Sequence, residues 1–257
     1  MSCFSLNEEL LRHILTHARP LGHNEKRETL NLGFGFLYYS LARALRPDHT
    51  VVVGSGFGFS VVCFALAIND NGKGRLSFVD PSYSLLRDGP SRTVGGCGMW
   101  DDPDRVCEHF KRFGLENTES LYGHTCYQPC TEAQNSVKSQ AHGGRAAPTV
   151  THYRMRSDRF FPEYKRLNLP EIDIAFIDGC HTYEGVKYDF LNVLEHSHKN
   201  TYIFLHDTNI YIREMLHHAG VNRWLKKVRK ESAFFEVINF PFSSGVALVR
   251  VLKDNKW

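Results

Sequence analysis

Val51-Val52-Val53-Gly54-Ser55-Gly56-Phe57-Gly58-Phe59-Ser60, followed by the apolar run from Val61 to Ile68, decides the fold. A β-branched run that breaks into alternating glycines and resumes as a helix-length apolar segment spells a buried strand, a tight turn and a packed helix. Glycines suit such a turn because a ligand reaches backbone N–H groups only where no Cβ intervenes. The first helical turn adds unpaired donors at the positive end of the helix dipole. The same glycines also serve a plain tight turn, so a ligand cradle and a structural loop both stay open on this stretch alone. A dinucleotide-binding turn reads Gly-x-Gly-x-x-Gly, and here Phe59 stands in the last place, which disfavours a nicotinamide ligand.

Around this unit lies an ordinary globular composition: 257 residues, 42% apolar and 23% charged, enough for one large α/β domain. We expect a single domain over residues 1–257, with N-terminal helices in 1–47 and an irregular insertion or lid in 84–148. The formal net charge of +3 is too mild to argue for a nucleic-acid partner. No apolar run reaches membrane-spanning length, and the first nine residues lack a basic region followed by an apolar core. The expectation is a cytoplasmic protein without a membrane partner. Cysteines 3, 63, 97, 107, 126, 130 and 180 are odd in number and scattered, which suits reduced thiols rather than a disulfide framework.

Upstream of the glycine turn, Ser5-Leu6-Asn7-Glu8 has the capping-box pattern, and Leu6, Leu10, Leu11, Ile14 and Leu15 share one helical face. A second helix is expected over 28–45, stopping before Pro47. Downstream, Asn69-Asp70-Asn71-Gly72 ends the helix, and Arg75 to Val79 form a second strand closing on Asp80. An acid at that strand end is placed to accept hydrogen bonds from two ribose hydroxyls, although an Asp before Pro81 can also simply turn the chain. From 84 to 148 regularity is lost apart from an amphipathic helix over 103–113, and Asn117 to Ala147 is polar and weakly patterned. His124, Cys126, Cys130, His142 and His152 lack the regular spacing of a zinc site.

Order returns with a strand over 149–154, and Ser157-Asp158 offers an N-cap for the next helix. Ile172 to Ile177 is a buried strand ending in Asp178-Gly179-Cys180-His181, and Tyr183, Val186, Phe190, Val193 and Leu194 share a face of the helix after it. Thr201 to Leu205 is the next strand, ending in His206-Asp207-Thr208-Asn209. After a mostly helical stretch over 210–230, Phe234 to Phe240 and Gly245 to Leu252 read as strands whose short connection permits only antiparallel pairing. In an open parallel sheet the carboxyl ends of neighbouring strands converge on one crevice, so Gly54, Asp80, Asp178, His181 and Asp207 should line a single site.

Over about residues 30 to 252 these features resemble the class I S-adenosylmethionine-dependent methyltransferases. The residues that carry the likeness are Gly54-Ser55-Gly56-Phe57-Gly58, Asp80, Phe176-Ile177-Asp178-Gly179-Cys180-His181-Thr182-Tyr183-Glu184-Gly185-Val186 through Asp189, His206-Asp207 and the terminal hairpin. The middle block is similar to the small-molecule O-methyltransferase branch that includes macrocin and, more distantly, catechol O-methyltransferases. The resemblance implies a doubly wound α/β fold: a mostly parallel seven-stranded sheet with an antiparallel C-terminal strand. It implies that Gly54, Ser55, Gly56 and Phe57 hold the methionine part of the cofactor, Asp80 the ribose, and Ser157 with Asp158 the adenine edge, with Asp178 also at the cofactor. In metal-dependent members, acids matching Asp178 and Asp207 bind a divalent ion, usually Mg2+, and the position of His181 can hold the base. The chain departs from the pattern at Val52, where many members carry an acid, and at Thr208, where the catechol type has an amide.

The implied reaction is methyl transfer from S-adenosylmethionine to a hydroxyl of a small-molecule acceptor, with His181 taking the proton and Asp178 at the reacting centre. Assembly as a homo-oligomer stays open. Two other classes compete: an NAD(P)-dependent oxidoreductase, and a catalytically silent methyltransferase-fold subunit that binds a partner.

Overall fold

The computed structural model describes residues 6–82, 87–88, 91–92, 98–122, 149–209 and 220–254. Its centre is a sheet of eight strands: β1 His49–Val53, β2 Arg75–Val79, β3 Thr118–Tyr122, β4 Val150–Arg154, β5 Ile172–Ile177, β6 Ser197–His206, β7 Phe235–Phe240 and β8 Val246–Val251. In space they run β3-β4-β2-β1-β5-β6-β8-β7. The first six named in that order pair in parallel, and β8 pairs antiparallel with both β6 and β7. The order therefore reverses at β1 and β5, and such a switch point opens a crevice at the carboxyl edge of an α/β sheet.

Helices cover both faces. On one lie α1 Glu8–His13 with its π-helical continuation Ile14–Ala18, α2 Phe34–Leu45, α3 Phe59–Asn71 and α4 Pro103–Lys111; on the other lie α5 Ser157–Glu163, α6 Tyr183–Glu195 and α7 Gly220–Val228. Successive strand side chains point to opposite faces. Val52 thus joins Tyr38, Phe64 and Phe176 in one core, while Val51 and Val53 join Phe160, Phe190 and Trp224 in the other. Every residue from Phe59 to Ile68 is buried, because α3 is wedged between the sheet and α2. Its helix ends on Gly72 at φ +66, a left-handed conformation that glycine takes without strain.

The expected doubly wound fold is present, with eight strands where seven were expected. The additional strand is β3, at the parallel edge beside β4, inside the stretch that looked irregular. Sequence boundaries shift elsewhere. The N-terminal helix is capped by the Asn7 side chain, which accepts from the Leu10 N–H, so it starts at Glu8. The second helix starts at Phe34 rather than 28, since Gly33 at φ +56 breaks the helical path. Ser157 is the first helical residue of α5 and Arg156 takes the cap position. The thiol and imidazole residues 124, 126, 130 and 142 lie outside the described residues. His152 is buried, bonded to Ser120 Oγ and to the Asp80 carbonyl, a structural role.

Candidate active site

Backbone bonds lock the strand ends together at the carboxyl edge. The Gly54 N–H donates to the Val79 carbonyl at 2.9 Å, and the Asp178 N–H donates to the Val53 carbonyl at 2.9 Å. A Cβ at Gly54 would stand 2.6 Å from the Asp178 carbonyl oxygen, so only glycine lets β1 turn against the end of β5. Gly56 takes φ +48 and has nothing within 4 Å of where its Cβ would be. The turn therefore presents bare backbone to open space at the start of α3, whose N-cap, Gly58, offers no side chain to the first helical N–H groups.

Asp80 sits beside this turn, buried at the end of β2. Burial pushes its carboxyl up to about 6, against hydrogen bonds from the Ser82 and Ser55 backbone N–H groups that favour the charged form. The exposed backbone around Gly56 and an acid beside the same turn suit a ligand with an amino-acid end and a vicinal diol.

At the ends of β5 and β6 a polar cluster forms. His181 Nε2 lies 3.2 Å from Asp178 Oδ1 and 3.2 Å from Asp207 Oδ2. His206 Nδ1 lies 3.1 Å from Asp178 Oδ1 and 3.6 Å from Asp207 Oδ1. Burial opposes charge on Asp178, His206 and Asp207, but their neighbours outweigh it. The His206 ring and a hydrogen bond from His181 hold the Asp178 carboxyl far below the usual range, and the two acids push His206 up to about 10. Asp207 is lowered in the same way. It also adopts φ +61, an uncommon conformation for a residue with a side chain, and one that Asp tolerates better than most.

One ligand atom each from Asp178, His181 and Asp207 falls within a 4.8 Å span. Two carboxylates and an imidazole this close fit a hard divalent cation. Asn209, the amide nearest the second acid in sequence, is committed elsewhere: its Nδ2 donates to the Pro241 and Ser243 carbonyls. His181 Nε2 instead lies between the two acids.

Gly54, Asp80, Asp178, His181 and Asp207 thus share one edge, as expected. Ser157 and Asp158 stand at the start of α5, where Ser157 bonds the buried Asp189 and Asp158 pairs with Arg156 at 2.7 Å. Three contributors escaped the sequence reading. His206 looked like a strand end. His23, buried in a segment broken by Pro20 and Gly22, lays its ring 4.3 Å from that of His206 and bonds Tyr38 Oη at 3.0 Å. Trp100 donates its indole N–H to the Gly56 carbonyl at 3.0 Å. Only the His206-Asp207 pair left a local signal, two polar residues closing an apolar strand.

A family model described as a methyltransferase domain matches residues 51–208, from β1 to just past the second acid. The chain belongs to this methyltransferase-domain family. Among curated proteins, the uncharacterized protein y4gI of Sinorhizobium fredii (strain NBRC 101917 / NGR234) is 24% identical over 190 residues, 67% of this chain and 20% of that protein. The chain spans about a fifth of the length of that relative.

Solved structures share the fold of this methyltransferase domain. The O-methyltransferase TomG from Streptomyces achromogenes, in complex with SAM, aligns with a TM-score of 0.57 at 15% identity, over 96% of this chain and 91% of its own. The O-methyltransferase from Bacillus cereus, in complex with SAH, aligns with a TM-score of 0.58 at 12% identity, over 96% and 92%. A methyltransferase from Geobacter sulfurreducens aligns with a TM-score of 0.51 at 18% identity, over 96% and 92%. Among the described residues, no helix is long and apolar enough to cross a membrane.

Proposed function

We propose that this domain binds S-adenosylmethionine in the Gly54–Phe57 turn and against Asp80, and methylates a hydroxyl oxygen of a small-molecule acceptor. The observation that carries this reading is the adjacency of two chemically different halves. An open glycine turn tied to a buried acid lies against an Asp178–His181–Asp207 cluster, with Gly54 packed on the Asp178 backbone. The complexes of the similar folds with SAM and SAH support the cofactor assignment.

S-adenosylmethionine supplies an electrophilic methyl group, and a divalent cation such as Mg2+ at the two acids would supply charge that lowers an acceptor hydroxyl's pKa. The chain's own residues do the rest. Backbone N–H groups of the turn orient the methionine end, and the Asp80 carboxylate accepts from the ribose diol. Asp178 and Asp207 hold the His181 ring at the strand ends, where the imidazole takes the proton of the acceptor hydroxyl. Ser157 and Asp158 are assigned to the adenine edge. Holding acceptor and methyl in line is worth about 7–11 kcal/mol of the barrier.

Calorimetric titration with S-adenosylmethionine and S-adenosylhomocysteine, beside NAD, and with either Mg2+ or a chelator, tests the assignment. Saturable binding of the sulfonium cofactor that is lost in Asp80→Ala is the expected result. Binding of NAD alone would make the chain an oxidoreductase. Binding without turnover across a broad panel of hydroxyl compounds would make it a silent partner subunit. With an acceptor in hand, His181→Ala should lower turnover by about 10²–10⁴ at unchanged fold, the usual worth of general-base catalysis.

A further inference from the structure

Trp100 is fully buried in the segment between β2 and α4, far in sequence from the glycine turn. Its ring stacks on Phe110 at 5.6 Å and 8°, and meets Phe78 edge-on at 5.2 Å. Packing of that kind needs no indole nitrogen. Yet Nε1 donates to the Gly56 carbonyl at 3.0 Å, at the one turn residue whose Cβ position is open.

The bond belongs to a closed circuit. The Trp100 N–H donates to Ser82 Oγ at 2.9 Å, the Ser82 N–H donates to Asp80 Oδ1 at 2.7 Å, and the Asp80 carboxylate accepts from the Ser55 N–H. Trp100 therefore ties the turn to the acid from outside both. The space above Gly58 is filled by the same residue, since a Cβ there would stand 3.0 Å from Trp100 Cη2 and 3.5 Å from His109 Nε2. Gly54, Gly56 and Gly58 all have positive φ, at +68, +48 and +85. The turn is closed internally by the Gly58 N–H donating to the Ser55 carbonyl at 2.6 Å, and the glycine at 56 leaves the peptide plane between them easy to rotate, so the indole donor fixes which way the Gly56 carbonyl faces. If the Gly56 carbonyl turns away, the neighbouring N–H groups re-aim with it.

Resting on the cofactor assignment above, we propose that Trp100 is a positioning residue, whose indole N–H fixes the turn in the orientation that receives the methionine end of the cofactor. Trp100→Phe keeps an aromatic ring against Phe110 and removes the donor. We expect its Kd for S-adenosylhomocysteine, by calorimetry, to rise about tenfold, which is ~1.4 kcal/mol and within the range of one lost buried hydrogen bond. Ser82→Gly, which suits the φ of +59 at that position, cuts the circuit at its second bond and should raise Kd by about threefold.

The chain has three tryptophans, 100, 224 and 257, so indole N–H resonances of 15N-tryptophan-labelled protein are assignable by substitution. The Trp100 signal should move on titration with S-adenosylhomocysteine and saturate at the calorimetric Kd, a response that mere core packing does not produce. A folded Trp100→Phe protein with unchanged Kd, or a Trp100 signal indifferent to the ligand, overturns the proposal. If Trp100→Phe does not fold, an unchanged Kd in Ser82→Gly overturns it and a raised one supports it. Wild-type protein that binds neither S-adenosylmethionine nor S-adenosylhomocysteine overturns the cofactor assignment as well, whereas tight wild-type binding with unaffected variants overturns the Trp100 role alone.

Discussion

Individual side chains at this edge are held by neighbours that lie far away in sequence. Asp80 illustrates the consequence. Burial raises it to about 6, and in the ribose-binding role proposed for it only the ionised carboxylate accepts from both hydroxyls. Affinity for S-adenosylhomocysteine should therefore be full at pH 7.5 and fall as pH drops through about 6. Asp80→Asn should bind weakly and show a flat profile over the same range. Calorimetry at pH 5 and pH 7.5 on both proteins checks this, and a wild-type affinity that is equal at the two values would remove Asp80 from the ribose. Three of the four residues of the cluster of Asp178, His181, His206 and Asp207 were legible: both acids and His181 follow strand ends in the sequence. The bracing by His206 and His23 depends on two rings 4.3 Å apart that are 183 positions apart in the chain (206 minus 23), which no local pattern encodes.

At the scale of elements, turns and caps set the geometry of the site. Gly54 combines φ +68 with a Cβ position 2.6 Å from the Asp178 carbonyl. Gly54→Ala should lower the unfolding free energy by about 2–4 kcal/mol, adding the left-handed penalty to overpacking, and should displace Asp178 from its partners. Urea unfolding with a parallel cofactor titration checks both effects. Helix α6, which follows His181, is capped by Thr182, whose Oγ1 accepts from the Gly185 N–H at 3.1 Å. Thr182→Ala should cost about 1 kcal/mol, read by the same denaturation, and a zero cost would show that packing alone orients the helix. The strands and helices flanking the glycine turn were legible because each carries its own period. β3 was not, because its five residues Thr118–Tyr122 alternate weakly and become a strand only by lying beside β4.

For the whole molecule, buried titratable groups shape the pH dependence of stability. Burial lowers His49, His109 and His152 to about 4 from 6.5, so the unfolded chain binds more protons between those values. Their contribution is present above pH 6.5 and lost as pH falls toward 4. Asp80 and Asp189, raised to about 6 from 3.8, work in the opposite direction over 3.8 to 6 and blunt that loss. Asp178 and Asp207, held below 3.8, contribute above that value and lose their contribution as pH falls beneath it. His206, raised to about 10, contributes below 6.5 and loses its share as pH climbs toward 10. Thermal unfolding should thus show a broad maximum near neutrality, a gentle decline to pH 4 and a steep one beneath it. A maximum below pH 5 would contradict these assignments.

The sequence by itself determined the α/β class, the glycine turn, the strand ends that carry the acids and the terminal antiparallel hairpin. Each is written in short-range periodicity and in glycine, proline and Asp placement, which the backbone obeys locally. Only the tertiary structure decided that β3 joins the sheet, that Asn209 turns to the hairpin while His181 bridges the two acids, and that Trp100 grips the glycine turn. These depend on hydrogen bonds and ring contacts between segments distant in sequence, whose partners are chosen by the packing of the whole sheet.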